Sequence, residues 1–227
     1  MQTLIALSLL IVGITSLPQR QIIAGINLHN ERLVTGSIVE AIEDASQAIK
    51  DAGLDPLYVE KEATEYALPV PVLFNLSGDL EEFLFTGLSN IVVHNINYSI
   101  ITNRLTFDIR LPLIELSLGK AVKDVTVFGS RVESYASGRL AVVGIRLTGN
   151  VRVSIGIITG ISIRSIDLDF SLGGIESELK IMTHGKDFSE PINRFLGEII
   201  PGVLTEYSKE INELLEIVAK DVIEANL

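Results

Sequence analysis

The sequence predicts an α+β fold: one elongated domain in which a long curved antiparallel sheet wraps around a long C-terminal helix. An N-terminal helix lies beside them. Apolar residues recur at helical spacing in residues 37–52, at every second position from Leu68 to about Met182, and at helical spacing again through the last forty residues. No helix-length segment interrupts the central stretch, so its strands form a meander. The dimensions agree. Residues 190–225 as helix span about 54 Å, and residues 104–118 as strand span about 50 Å.

Residues 1–16 carry no charged side chain, and the run Leu4–Val12, broken by Ser8, precedes Gly13, Thr15, Ser16 and Pro18. That length suits the apolar part of a secretory signal and falls short of a spanning helix. Removal of 1–16 leaves 17–227 as a single extracellular domain; the competing reading is a buried N-terminal strand or helix. No other apolar run approaches membrane length, so stable membrane insertion is not expected. The net charge of -11 repels phosphate backbones and anionic lipid, which disfavours nucleic acid as a partner. With no cysteine, disulfides and thiolate metal sites are absent.

Ser37 and Glu40 have capping-box spacing, Ile38, Ile42, Ala45 and Ile49 form an apolar stripe, and Gly53 with Pro56 supplies a stop. Residues 55–67 are charged and irregular and read as a connection. Val92, His94, Ile96, Tyr98 and Ile100 alternate with polar neighbours. So do Leu105, Phe107, Ile109, Leu111 and Leu113, and then Ile166, Leu168, Phe170 and Leu172. Asn97, Asp108, Asp167 and Asp169 should therefore face water. Turns are expected at Thr102-Asn103, Gly129-Ser130, Ser137-Gly138, Gly149-Asn150 and Gly173-Gly174. Gly144, Gly149, Gly156 and Gly160 would let the sheet bend. The last helix carries the stripe Phe188, Ile192, Phe195, Ile199, Val203, Tyr207, Ile211, Leu214, Val218 and Val222, and Pro201 should kink it, split it or mark a boundary.

Catalytic patterns are missing. No Gly-x-Ser-x-Gly elbow surrounds Ser154, and Ser117–Lys120 has Ser-x-x-Lys spacing only on a strand end. His29, His94 and His184 are scattered, with His94 read as a core histidine. An enzyme, a metal and a cofactor are not expected. Asn75 and Asn97 head glycosylation sequons.

In a chain with 6% aromatic residues and no Trp, an aliphatic interior makes a smooth lining, suited to a small hydrophobic ligand such as a lipid or terpenoid. The expected lining is Ile42 and Ile49 from the first helix, Ile96, Tyr98, Phe107, Ile109 and Phe170 from the sheet, and Phe195, Ile199 and Tyr207 from the last. Tyr98 and Tyr207 would be its polar handles. The alternative is an interaction protein that uses the same fold solid and touches membrane lipid or a protein partner through its end loops.

The order of segments resembles the TULIP superfamily of tubular lipid-binding proteins. The stretches Leu76-Ser-Gly-Asp-Leu80 and Phe85-Thr-Gly-Leu-Ser-Asn-Ile-Val-Val-His-Asn-Ile96 resemble its arthropod members, the mite group 7 allergens and the insect takeout and juvenile-hormone-binding proteins, in which a Gly-Leu pair, here Gly87-Leu88, precedes a long strand. The resemblance implies a secreted carrier of hydrophobic ligands. Takeout and juvenile-hormone-binding members usually carry an N-terminal disulfide; its absence here points toward the group 7 branch.

Overall fold

A computed structural model of the chain describes residues 28–156 and 160–226. The expected signal segment lies outside them. Helix α1, Leu28–Asp51, begins well before Ser37, so Ser37 and Glu40 are interior positions and form no capping box. Packing overrides local propensity there. Ile38, Ile42 and Ile49 are buried, and the Tyr98 N–H reaches Thr35 Oγ1 at 3.4 Å. The helix stops as expected at Gly53, with Leu54 N–H bonded to Ile49 O at 3.1 Å and Gly53 N–H to Lys50 O at 2.9 Å.

The chain then forms an eight-stranded antiparallel sheet. The strands are β1 (Leu57–Ala67), β2 (Phe74–Thr86), β3 (Val92–Ser99), β4 (Arg104–Val127), β5 (Ser130–Gly156), β6 (Gly160–Ser171), β7 (Gly174–Thr183) and β8 (Lys186–Asp187). The segment expected to be a connection at 55–67 is largely β1. It is an edge strand exposed on both faces apart from Leu57 and Val59, so it lacks the alternation that marks a half-buried strand. Its charges keep that edge in water, and Lys61 pairs with Glu81 at 2.9 Å.

Two long strands organise the sheet. β2 and β3 follow one another along one edge of β4, with Thr86 opposite Glu115 and Val92 opposite Arg110. β6 and β7 do the same along β5, with Ser171 opposite Arg146 and Gly174 opposite Val143. Each pair is one long strand with a break, and the path is the expected meander. Ser137-Gly138 and Gly149-Asn150 are not turns but lie within β5. Gly149 lets the strands pack closely: a Cβ on it would stand 2.5 Å from Asp167 O, 2.8 Å from Leu168 Cδ2 and 3.2 Å from Phe107 Cζ.

Both breaks fall on one transverse line, a waist. At Gly87, φ is +97° and an added Cβ would stand 2.0 Å from Leu113 O, so only glycine fits. Across the sheet, Gly144 has φ +66° and accepts a hydrogen bond from Gly173 N–H at 3.1 Å. Asp55 ties the end of α1 to this line, accepting from Gly87 N–H (2.9 Å), Ser89 N–H (2.6 Å) and Ser89 Oγ (2.5 Å). Burial pushes the Asp55 carboxyl up, but the bonds from Ser89 and Gly87 outweigh it and hold the group below its ordinary value.

The inward face changes phase at the waist. Leu105, Phe107 and Ile109 are buried on one side, whereas beyond Pro112 the apolar set is Ile114, Leu116 and Leu118. Glu115 and Ser117 take the other face there, with Glu115 bound to Arg139 at 2.7 Å. The expected alternation through Leu113 therefore ends early, and Leu113 is exposed. A bulge between Val93 and Asn95 has a similar effect on β3. Val93 and Ile96 pack inward, and His94 is exposed rather than a core histidine.

Asn97, Asp167 and Asp169 face water, but Asp108 does not. It lies on the outer face, 7% exposed, beneath two arginines that each grip it through two nitrogens, Arg110 at 3.1 and 2.9 Å and Arg146 at 3.0 and 2.9 Å. Those bonds hold its carboxyl far below the usual carboxylate range.

The C-terminal helix is divided into α2 (Ser189–Arg194), a π-helical turn (Phe195–Ile199), α3 (Ile200–Glu206) and α4 (Ser208–Asn226). The π turn takes up the misfit just before Pro201, and the break falls later, at Tyr207. Side chains of the helix cover the open edge of β6 and β7. Glu216 accepts from Leu168 N–H, Asn212 from Phe170 N–H and Ser189 from Ile181 N–H, each at 2.9 Å. Asn193 both accepts from Leu179 N–H at 2.9 Å and donates to Leu179 O at 2.8 Å. Such bonds satisfy an edge that would otherwise recruit another strand.

Candidate functional site: an open apolar trough

The two sides of the waist are packed differently. On one side α1 meets β3, α4 meets β6, and Ile38, Ile42, Leu105, Phe107, Ile109, Val151, Leu168, Ala219 and Ile223 close into a core. On the other side the inward face carries Phe83 and Phe85 from β2, Ile114, Leu116 and Leu118 from β4, Leu140 and Val142 from β5, and Leu179 from β7. Cross-strand pairs such as Phe85–Leu116, Leu116–Leu140 and Leu118–Phe83 place them on one surface. Every one of these side chains is half-buried and none is buried. The result is a trough floored by aliphatic and phenyl groups.

Helix segment 189–206 borders it along β7. Asn193 holds the strand edge, and Gly197 approaches closely enough that a Cβ would lie 3.3 Å from Ile175 O. One flank of this segment bears Phe195, Ile199 and Val203, which are 53%, 47% and 45% exposed. Glu190, Arg194 and Glu198 occupy the opposite flank. At its far end the trough reaches two loops joined by hydrogen bonds from Phe128 N–H to Leu73 O (3.1 Å) and from Gly129 N–H to Val72 O (2.8 Å). Val70, Val72, Leu73, Val127 and Phe128 are exposed at this tip, Phe128 by 81%.

The expected lining is not one surface. Ile42, Phe107 and Ile109 are buried in the closed core, with Ile96 and Tyr98 packed against them. Ile49 is buried outside that cluster, and Phe170 is half-buried on β6. Phe195, Ile199 and Tyr207 lie apart on the last helix, about half exposed. The Tyr98 hydroxyl is bonded within the chain, to Asn103 Oδ1 at 3.3 Å. Residues of the trough floor were missed because the alternation was carried unbroken through Pro112. The signal was present: Ile114, Leu116 and Leu118 alternate with Glu115 and Ser117 in the new phase.

Of the remaining candidates, Lys120 of the Ser-x-x-Lys spacing pairs with Glu81 at 3.6 Å on the strand. Among the described residues, no group of three His, Asp or Glu is arranged to hold a metal ion. No described helix is long and apolar enough to cross a membrane. Asn97 is exposed on the outer face, and Asn75 is half-buried with its Oδ1 enclosed.

The family model for haemolymph juvenile hormone binding proteins (JHBP) matches residues 34–226. The chain belongs to that family. The resemblance carried by Gly87-Leu88 and its surroundings agrees with the match, and the Gly87 geometry gives that glycine a physical reason. Among solved structures, this JHBP-family chain is similar to takeout 1 of Epiphyas postvittana, with a TM-score of 0.41 and 15% identity over 88% of this chain and 91% of that one. It is also similar to a lipopolysaccharide binding protein, with a TM-score of 0.30 and 9% identity over 84% of this chain and 36% of that one. No match is found among curated proteins.

Proposed function

We propose that the chain is a secreted, non-catalytic carrier that holds a small hydrophobic ligand, a lipid or terpenoid, in the apolar trough. The observation that carries this reading is the contrast across the waist. Along the same strand, Leu105, Phe107 and Ile109 are buried, whereas Ile114, Leu116 and Leu118 stay half-buried on a continuous apolar face. Keeping such a face wet costs about 25 cal/mol per Å² relative to covering it, and an apolar ligand recovers that free energy. Phe195, Ile199 and Val203 border the trough on the helix side, and Tyr207 stands at the helix break. Membership of a family named for binding juvenile hormone in haemolymph supports the carrier role and an extracellular location. The lack of cysteine supports a reading on the group 7 allergen-like side of the resemblance.

The test is displacement titration with a fluorescent fatty acid and a fluorescent terpenoid analogue, with extraction of lipid from protein purified from its source. Saturable binding that salt barely changes is expected, because burial rather than ion pairing drives it. Leu116→Glu should abolish it while circular dichroism stays native. No saturable uptake of either probe, and no extracted lipid, would sink the carrier reading.

The exposed tip around Phe128 favours a second reading, in which the end loops contact a lipid surface or a protein. Flotation with neutral vesicles, comparing Phe128→Ser with the parent chain, distinguishes it.

A further inference from the structure

On the opposite, outer face of the sheet, two pairs of arginines stand directly across from one another on β4 and β5: Arg110 opposite Arg146, and Arg104 opposite Arg152. Strand spacing sets each pair about 4.8 Å apart at the backbone, where like charges destabilise a sheet. The first pair is resolved within the chain, because Asp108 lies between its members and binds both. The second pair has no such carboxylate. Among the described residues neither Arg104 nor Arg152 forms an ion pair, and Asp167, the nearest acidic residue in register, is one row away, opposite Asn150.

The row that contains this second pair has the composition of a receptor for an oxyanion. In register across β3, β4, β5 and β6 it reads Ser99, Arg104, Arg152, Ser165, a hydroxyl at each end and two guanidinium groups between. A bulge between Arg152 and Val153 adds Arg164, exposed, beside Ser165. Of the three buried side-chain atoms without a hydrogen-bond partner among the described residues, two lie here: Arg104 Nε, a donor, and Asn150 Oδ1, an acceptor in the neighbouring row. Buried polar atoms left unpaired are costly, and a ligand is one way of satisfying them.

We propose that Arg104 and Arg152, flanked by Ser99, Ser165 and Arg164, bind a phosphate group on the outer face, independently of the trough. The chemistry selects among anions. The guanidinium groups and hydroxyls donate to the phosphate oxygens, as Arg110 and Arg146 donate to Asp108. Asn150 Oδ1 needs a donor, which inorganic phosphate carries as P–OH near neutral pH and sulfate does not. Local charge is positive here despite the net charge of -11, because Arg104, Arg152 and Arg164 outnumber the neighbouring Asp167.

The experiment is thermal unfolding and phosphorus-31 line broadening of the full chain titrated with inorganic phosphate, with sulfate and chloride at matched ionic strength. Phosphate should raise the midpoint saturably, and the other two salts should not. Arg152→Gln should weaken phosphate binding about tenfold to hundredfold, the loss of charged hydrogen bonds, and Arg152→Lys should weaken it less. Without phosphate, Arg152→Gln should unfold at the same temperature as the parent or higher, since it relieves repulsion, so misfolding cannot mimic the result. Equal midpoints in the three salts, or unchanged phosphate binding by Arg152→Gln, would overturn the proposal. Vesicles of phosphatidylcholine with and without phosphatidic acid identify the source of the phosphate. Binding that needs phosphatidic acid and is lost in Arg152→Gln assigns a lipid headgroup; phosphate binding without vesicle binding assigns a soluble phosphate.

Discussion

Ile109 and Leu116 stand on the same strand, on either side of the waist, and truncation of each to alanine should have opposite consequences. Ile109 is 6% exposed inside the closed core, so Ile109→Ala removes buried methyl groups and leaves a cavity, at a cost of about 2–5 kcal/mol. Leu116 is half-buried on the open face. Its truncation encloses no cavity, and half of the roughly 2 kcal/mol for burying a leucine leaves about 1 kcal/mol. Urea unfolding followed by circular dichroism measures both, with an unchanged slope confirming that the end states are comparable. For a chain of this size each kcal/mol moves the thermal midpoint by about 2–4 °C. A saturating apolar probe at a hundredfold excess over its Kd should stabilise the parent by about 2.7 kcal/mol. Leu116→Ala should lose much of that gain, and Ile109→Ala, where it folds, should keep it. Equal losses of stability at the two sites, or probe binding that fails at Ile109 and survives at Leu116, would refute the division into closed core and open trough.

Gly87→Ala should cost about 2–4 kcal/mol, from the positive φ together with overlap on Leu113 O, and equilibrium unfolding would show it; a neutral result would mean that the waist can widen. Asp108 has its pKa lowered by Arg110 and Arg146, so the stability it confers is complete above its unfolded pKa of about 3.9 and is lost as pH falls from there toward the folded value. The stability difference between the parent and Asp108→Asn should therefore be largest above about pH 4 and shrink in stronger acid; a difference that stays constant with pH would refute the assignment.

The elements with one buried face were legible in the sequence. The stripe Ile38, Ile42 and Ile49 located α1, and the alternation around Phe107 and Leu168 located the core of β4 and β6, because burial on one side imposes a period. β1 was missed for the complementary reason: water on both of its faces imposes none. The start of α1 was missed because packing on β3, through Thr35 and Tyr98, extends the helix past a plausible cap. The site was only half legible. Composition and period indicated an aliphatic surface, but its phase depends on a change of face at Pro112 and Gly144, which a repeat of two cannot register. Nor could the spacing show that a regular stripe such as Phe195, Ile199 and Val203 stays half exposed while Leu196 and Ile200 pack more closely.

The waist also divides the chain's resistance to local opening. β4 crosses it without interruption, so one strand of 24 residues belongs to two environments. Amide protons of Arg104–Arg110 sit beneath a closed core that two helices share, and their exchange requires opening that core. Those of residues 114–127 belong to a layer with one face largely uncovered, where smaller fluctuations suffice. Hydrogen exchange along β4 should thus step from slow to fast within a few residues of Pro112, and an apolar occupant of the trough should slow only the second stretch. A continuous strand would then act as its own internal reference, reporting occupancy at one end against an unchanging rate at the other.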